Sequence, residues 1–370
     1  MAKDFAQLRD ALETNLRTGD DKGAMVAVYR HGALVADLWG GVSQDGRTPY
    51  PRDALQVVFS VSKALLGLMV TAMLDDGLIA LGHPVARYWP EFAAGGKELV
   101  TLGELLAHQA GLPAFATPMT PEGLADWQRC VDDLAGQTPL WKPGSAHGYH
   151  ALTMGYLAGE IIRRVTGHTP GDYLRTRFAE PLEAEVWIGL PPALGHRVER
   201  HVVADPAPGI GEVRRVRQAD PATITHRVLT NPEIAFAVFD TPPMWDPQIP
   251  GANAIGDARS LARLMATAVD GPLRSLSPEA VTVATAQRGY GPDLVLVDQP
   301  SRFGTLFMLA SPREPMLGTR CFGHNGAAGA LAFADPESGI SFAYVGNRAH
   351  PDPTPHRRIH RLLSAVRDAL

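Results

Sequence analysis

Ser60 and Lys63 stand three residues apart in Ser60-Val61-Ser62-Lys63, directly before the apolar run Ala64-Leu65-Leu66-Gly67-Leu68-Met69-Val70. Side chains at i and i+3 share one helix face, so a hydroxyl and an amine can meet there. An apolar helix holds the lysine stem in a dry setting, where desolvation disfavours the ammonium. A neutral amine beside a hydroxyl is a base beside a nucleophile. The helix N-terminus adds main-chain N–H groups that can stabilise developing negative charge. Ser62 is the rival nucleophile, but i,i+1 side chains do not face each other, which favours Ser60. A first-turn serine beside a solvated lysine is the plainer reading of the spacing alone. The apolar context weighs against it, because lysine is rarely buried without a partner.

Elements on both sides must position such a pair. Phe5, Leu8, Leu12 and Leu16 recur at helical spacing and open the chain with an amphipathic helix. Met25–Tyr29 and Ala33–Trp39 read as strands joined at Arg30-His31-Gly32. The helix from Ser60 ends at Asp75-Asp76-Gly77, with glycine as its stop. Thr101-Leu102-Gly103-Glu104 has the form of a capping box ahead of a short helix. A second clear helix is predicted over Tyr149–Val165, and a third over Asp257–Val269. Between them, residues 190 to 250 are dense in proline and glycine and predict a long surface excursion that could cover a site. Strands return at Cys321–Gly323, Ala330–Ala334 and Ile340–Val345, and His356–Leu370 predicts a closing amphipathic helix. Strands at both ends with helices between them predict one sheet built from both terminal portions, flanked by the terminal helices, with a helical lobe inserted. The expected division is a discontinuous α/β sheet domain of residues 1–80 and 250–370, and a mainly helical lobe of residues 81–249.

Composition narrows the function. The 370 residues carry 34 basic and 39 acidic side chains, a net charge of −5, which argues against a nucleic-acid groove. The longest apolar stretch, around residues 64 to 74, is too short for a membrane span. No secretory leader is expected ahead of the opening helix. Two cysteines, Cys130 and Cys321, are too few for a disulfide framework and predict free thiols in a reducing compartment. A cytoplasmic protein is expected. No phosphate-cradling glycine loop or dinucleotide motif is present, so no nucleotide cofactor is expected. His356 and His360 have a metal-compatible i,i+4 spacing but no evident third ligand, so no metal is expected. His108 reads as a buried structural histidine, and Trp141, Trp245 and Phe239 as packing residues.

Two more segments complete a pattern with Ser60-Val61-Ser62-Lys63. Pro143-Gly144-Ser145-Ala146-His147-Gly148-Tyr149-His150-Ala151 delivers a tyrosine at the expected start of a helix, and Gly323-His324-Asn325-Gly326-Ala327 is a glycine-rich strand entry. Their order and spacing resemble the serine β-lactamase and penicillin-binding-protein superfamily, its class C branch and the related family VIII carboxylesterases above all. Leu105–Pro113 and Pro250–Ile255 are similar to further recurring segments, and the resemblance runs over about residues 20 to 350. It implies an antiparallel sheet with an inserted helical lobe. It implies Ser60 as acylated nucleophile, Lys63 and Tyr149 as acid/base partners with the base undecided between them, and no cofactor. It further implies an oxyanion hole from the Ser60 and Ala327 N–H groups, and a substrate-binding edge at His324, Asn325 and Gly326.

The departures point to the substrate. His324 stands where β-lactamases usually keep a lysine, so a fixed cation for a substrate carboxylate gives way to a mostly neutral imidazole. Ala151 stands where the class C pattern has an asparagine that recognises an acyl amide. Both changes favour neutral, less amide-like substrates, so hydrolysis of carboxylic esters with small to medium acyl groups is expected above β-lactam hydrolysis, which stays open as a weak side activity. Acyl transfer to an alcohol or amine, amide cleavage and peptide cyclisation by the same acyl-enzyme stay open as alternatives, as does a silent binding or sensor scaffold. No membrane partner is expected, and the oligomeric state is undetermined.

Overall fold

The computed structural model describes residues 5–203, 219–232, 236–297, 300–312, 314, 316–349 and 357–370. Its centre is an eight-stranded sheet: β1 (Gly23–Arg30), β2 (Ala33–Gly41), β3 (Gly289–Gly291), β4 (Ser301–Phe303), β5 (Met308–Leu309), β6 (Phe322–Asn325), β7 (Leu331–Asp335) and β8 (Ile340–Gly346). The order is β2-β1-β8-β7-β6-β5-β4-β3, and neighbouring strands pair antiparallel. Strands β3 to β8 form a meander, and the early hairpin completes the sheet by pairing Ala24–Arg30 with Gly346–Ile340. The hairpin turns on two residues, His31 at φ 47° and Gly32 at φ 74°. Two positive φ values are what a type I′ turn needs to match strand twist.

Period-two patterning sorts the buried side chains of β1. Ala24, Val26 and Val28 join a core with Phe5, Leu8 and Leu12 of the opening helix and Leu362, Leu363 and Val366 of the closing helix. Met25, Ala27 and Tyr29 point the other way, into the larger core shared with the helical lobe. The sheet is therefore a middle layer, with both terminal helices on one face and the lobe on the other. The helix Ser62–Asp75 lies within the larger core and is buried on nearly every side from Ser62 to Met73. Among the described residues, no helix is long and apolar enough to cross a membrane. Cys130 and Cys321 are both free and buried.

Several boundaries differ from those read off the sequence. The helix expected from Tyr149 begins at Thr153. Main-chain donors just before it are taken by side chains: Tyr149 N–H bonds Asp293 and His150 N–H bonds His108. The helix expected over Asp257–Val269 is an α-helix over Ala258–Met265, with Asp257 capping it, followed by a 3-10 turn. The capping box at Thr101 forms, with Glu104 N–H reaching the threonine hydroxyl at 3.2 Å and Thr101 N–H reaching the Glu104 carboxylate at 2.8 Å. Parts of the expected covering segment, residues 204–218 and 233–235, lie outside the described residues, as does His356. The described remainder of 190–250 holds short helices and the bridge strand Val202–Val203.

One buried ion pair ties the terminal layer to the site. Arg358 of the closing helix bonds Asp21 at 2.9 Å, the Arg348 carbonyl at 2.9 Å and the Ala328 carbonyl at 2.7 Å. Its guanidinium lies 5.4 Å from the Tyr344 ring centroid, and the Tyr344 hydroxyl also bonds Asp21. Removing one partner of such a pair strands the other in a low-dielectric interior. Arg358→Met is expected to destabilise the protein by about 3–5 kcal/mol, read as a lowered urea midpoint. A loss under about 1 kcal/mol, the value of a surface pair, would contradict this account.

Candidate active site

Ser60 sits in a 3-10 turn, Phe59–Val61, that enters the helix Ser62–Asp75. Phe59 takes φ 49°, a left-handed conformation that costs a non-glycine residue about 1–2 kcal/mol. That kink leaves Ser60 half-buried while its neighbours Phe59 and Val61 are buried. Lys63 is fully buried and its Nζ lies 3.1 Å from Ser60 Oγ. Nζ also donates to the Ala151 carbonyl at 2.7 Å and the Gly251 carbonyl at 2.6 Å. The Gly251 approach depends on Gly155, where a Cβ would meet Gly251 N at 2.2 Å.

Burial pushes the Lys63 amine down to about 7. A neutral amine has two N–H donors and one lone pair. As an ammonium, Nζ donates to all three oxygens; once deprotonated, its two N–H groups stay on the carbonyls and its lone pair faces the Ser60 hydroxyl. Ser62 is excluded on the same grounds of geometry. It is buried, its hydroxyl donates to the Phe59 carbonyl, and it accepts from Ala254 N–H at 3.0 Å.

Tyr149 reaches the same place from the lobe. Lys63 Nζ lies 5.0 Å from the Tyr149 ring centroid. Phe303 stacks on that ring at 6.3 Å, and His108 and His324 flank it at 5.2 and 5.9 Å. The imidazoles are neutral. His324 is pushed down to about 3 by burial and then by the Lys63 charge. His150 is pushed down to about 4, chiefly by burial, and His108 is held well below the usual imidazole range by burial and its neighbouring His150 and Lys63. His108 Nδ1 accepts the His150 N–H at 3.0 Å, so its proton is on Nε2. His324 Nδ1 donates to the Asn325 carbonyl at 2.7 Å, which leaves a lone pair on Nε2.

The third segment approaches Ser60 along its main chain. A Cβ at Gly326 would come within 2.4 Å of the Val58 carbonyl, so only glycine lets β6 end this close to the Ser60 turn. The chain then turns, with Gly326 N–H bonding Ala330 O at 2.7 Å and Gly329 N–H bonding Gly326 O at 2.8 Å. Ala327 is half-buried inside that turn, and neither of these bonds uses its N–H. Arg358 holds the turn from behind through the Ala328 carbonyl. Asn325 is turned to Glu314, donating at 2.6 Å. Of the three residues expected at the substrate edge, His324 flanks Tyr149, Gly326 shapes the main chain and Asn325 is committed to a carboxylate.

The chain matches the Beta-lactamase family over residues 8–367. It belongs to the β-lactamase family. A β-lactamase-family relative, the "Esterase/beta-lactamase LipL" of Mycobacterium tuberculosis, is 33% identical over 336 residues, covering 88% of this chain and 77% of the relative. A family VIII carboxylesterase structure superposes with a TM-score of 0.90 at 29% identity, covering 100% of this chain and 98% of the other. A penicillin-binding-protein homologue from Caulobacter crescentus gives 0.88 at 37% identity, with 100% and 98% covered. These likenesses bear out the expected superfamily and β-lactamase-like fold.

Sequence reasoning missed the carbonyls of Ala151 and Gly251 as partners of Lys63. Both act through the main chain, so side-chain type carries no signal. It also missed Asp293 and Ser301, single polar residues in or beside short elements, and Arg358, a charged residue on the buried side of the closing helix.

Proposed function

We propose that the protein is a serine hydrolase that cleaves small neutral carboxylic esters through an acyl-enzyme on Ser60. The observation that carries this reading is the seat of the buried Lys63 Nζ, 3.1 Å from the Ser60 hydroxyl with the Ala151 and Gly251 carbonyls as its other partners. The relatives named as esterase and carboxylesterase support the ester substrate.

Lys63 takes the Ser60 proton as Oγ attacks the ester carbonyl. The Ser60 and Ala327 N–H groups receive the oxyanion, each such donor contributing about 3–4 kcal/mol to the transition state. As the acyl C–O bond breaks, the Tyr149 hydroxyl gives its proton to the departing alkoxide, and the proton on Lys63 restores the phenol. Water then repeats the sequence on the acyl-enzyme, with the same groups in reversed roles. Incubation with a fluorophosphonate should add one label, mapped by peptide mass to Ser60. A label on another serine, or none, overturns the assignment. The reading includes a cytoplasmic address, with which the two unpaired thiols agree.

His324 sets the charge preference of the substrate site. A neutral imidazole gives a carboxylate no counter-charge. His324→Lys should raise the ratio of kcat/KM for a carboxylate-bearing ester, mono-p-nitrophenyl glutarate, to that for p-nitrophenyl butyrate by about tenfold, the equivalent of ~1.4 kcal/mol. An unchanged ratio would show that His324 does not face the substrate.

A further inference from the structure

We propose that Asp293, with Ser301 and His147, is a positioning clamp that sets the Tyr149 phenol for proton delivery to poor leaving groups. The inference rests on the reading of Tyr149 as the acid that protonates the departing alkoxide.

Asp293 is only 4% exposed. Its Oδ1 accepts the N–H of Tyr149 at 3.1 Å and those of Val295 and Leu296 at 2.8 Å each. Its Oδ2 accepts the Ser301 hydroxyl at 2.8 Å. Ser301 Oγ also lies 2.9 Å from His147 Nε2. The serine has one proton and spends it on Asp293, so His147 Nε2–H is the donor in the second bond. Leu294 N–H donates to the His147 carbonyl at 3.1 Å, and residues 147 and 293 form a parallel bridge. The stretch 147–149 is thus held through one side chain, one carbonyl and one N–H.

A serine, a histidine and an aspartate in contact invite comparison with a hydrolytic triad, but the protons run the wrong way. The hydroxyl donates to the carboxylate instead of the imidazole, and the imidazole donates where a base must accept. All three side chains are buried, at 6%, 3% and 4% exposure for His147, Ser301 and Asp293. Among the described residues no salt bridge reaches Asp293. A buried carboxylate without a counter-ion is costly unless its lone pairs are filled. Four hydrogen bonds fill them, and one belongs to the main chain of Tyr149. A neutral side chain could not accept on both oxygens. The clamp fixes the main chain of Tyr149, while Phe303 and His108 hold its ring.

Displacing a reacting group by about 1 Å costs on the order of a hundredfold when that group must transfer a proton. The loss falls on alkyl esters, whose alkoxide needs the proton, and spares p-nitrophenyl esters, whose leaving group departs as an anion. A merely structural lesion lowers both alike. The experiment measures kcat/KM for ethyl butyrate and p-nitrophenyl butyrate in Asp293→Ala, Asp293→Asn, Ser301→Ala and Tyr149→Phe. Tyr149→Phe and Asp293→Ala should each lose at least about tenfold more rate on the ethyl ester than on the nitrophenyl ester. Ser301→Ala keeps the carboxylate and should show the same preference at smaller size, and Asp293→Asn should partly restore what Asp293→Ala loses. Should Asp293→Ala fail to fold, Ser301→Ala carries the test. Selective loss in Tyr149→Phe with equal losses in the clamp variants overturns the clamp alone. Equal losses in Tyr149→Phe itself overturn the role of the phenol, and the clamp with it.

Discussion

Ser60→Ala is expected to abolish turnover of p-nitrophenyl butyrate and to leave the fold unchanged. The hydroxyl is half-buried and, among the described residues, its side chain is bonded to Lys63 Nζ, so its removal opens no cavity of consequence. What disappears is the covalent route. Positioned nucleophile, base and oxyanion donors act as a unit, and removing one member of such a unit typically costs as much as about 10⁶-fold in kcat. Any remaining rate would reflect the oxyanion donors acting on water. Ser62 cannot substitute, because its hydroxyl is held between the Phe59 carbonyl and the Ala254 N–H. A Ser60→Ala protein that hydrolyses the ester at the normal rate would overturn the assignment. Steady-state assay and thermal melting of the same preparation separate lost chemistry from lost folding.

Lys63→Met should lower kcat by at least about a hundredfold, the usual contribution of a positioned general base. Charge alone does not explain the loss, because Lys63→Arg keeps a cation that does not give up its proton and should be equally slow. The pH profile identifies the group. Burial holds the amine near about 7, and the base must be unprotonated to act. The wild-type kcat/KM should therefore rise with pH, inflect near 7 and level off above it. In Lys63→Met the residual rate should lack that inflection. A limb near 7 that persists in the variant would assign it to another group. The imidazoles around Tyr149 are poor candidates, since His324 and His150 are already neutral well below that pH.

The pair Ser60 and Lys63 was legible because the information is local. One helical turn sets their contact, and the apolar run after them fixes the burial of the amine. The sheet was legible for a similar reason: β1, β2, β7 and β8 are long enough to show apolar runs or alternation. Strands β3, β4 and β5 have two or three residues each and carry no period. Their side chains Ser301 and Phe303 were therefore invisible as parts of the site, although they hold and cover Tyr149. Tyr149 itself emerged only from the resemblance of three separated segments. Its expected seat at a helix start was off by four residues, because the Gly148 and Ala151 carbonyls, which a helix begun there would use, accept instead from the His150 ring and Lys63. The Ala151 and Gly251 carbonyls lie beyond any reading of side-chain type.

Lys63 is an ammonium-forming group enclosed in an apolar helix, and among the described residues no carboxylate forms an ion pair with it or contributes to its shift. In the unfolded chain Lys63 keeps its proton far above neutrality, up to its ordinary value of 10.5, whereas in the folded chain it gives it up at about 7. Below 7 both states carry the proton, and the native state bears the whole penalty of hiding a cation. Between 7 and 10.5 the unfolded chain binds more protons, so this contribution shifts toward the native state as pH rises. Mild alkalinity thus arms the catalyst and steadies the architecture by the same departure, and acidification idles one while loosening the other.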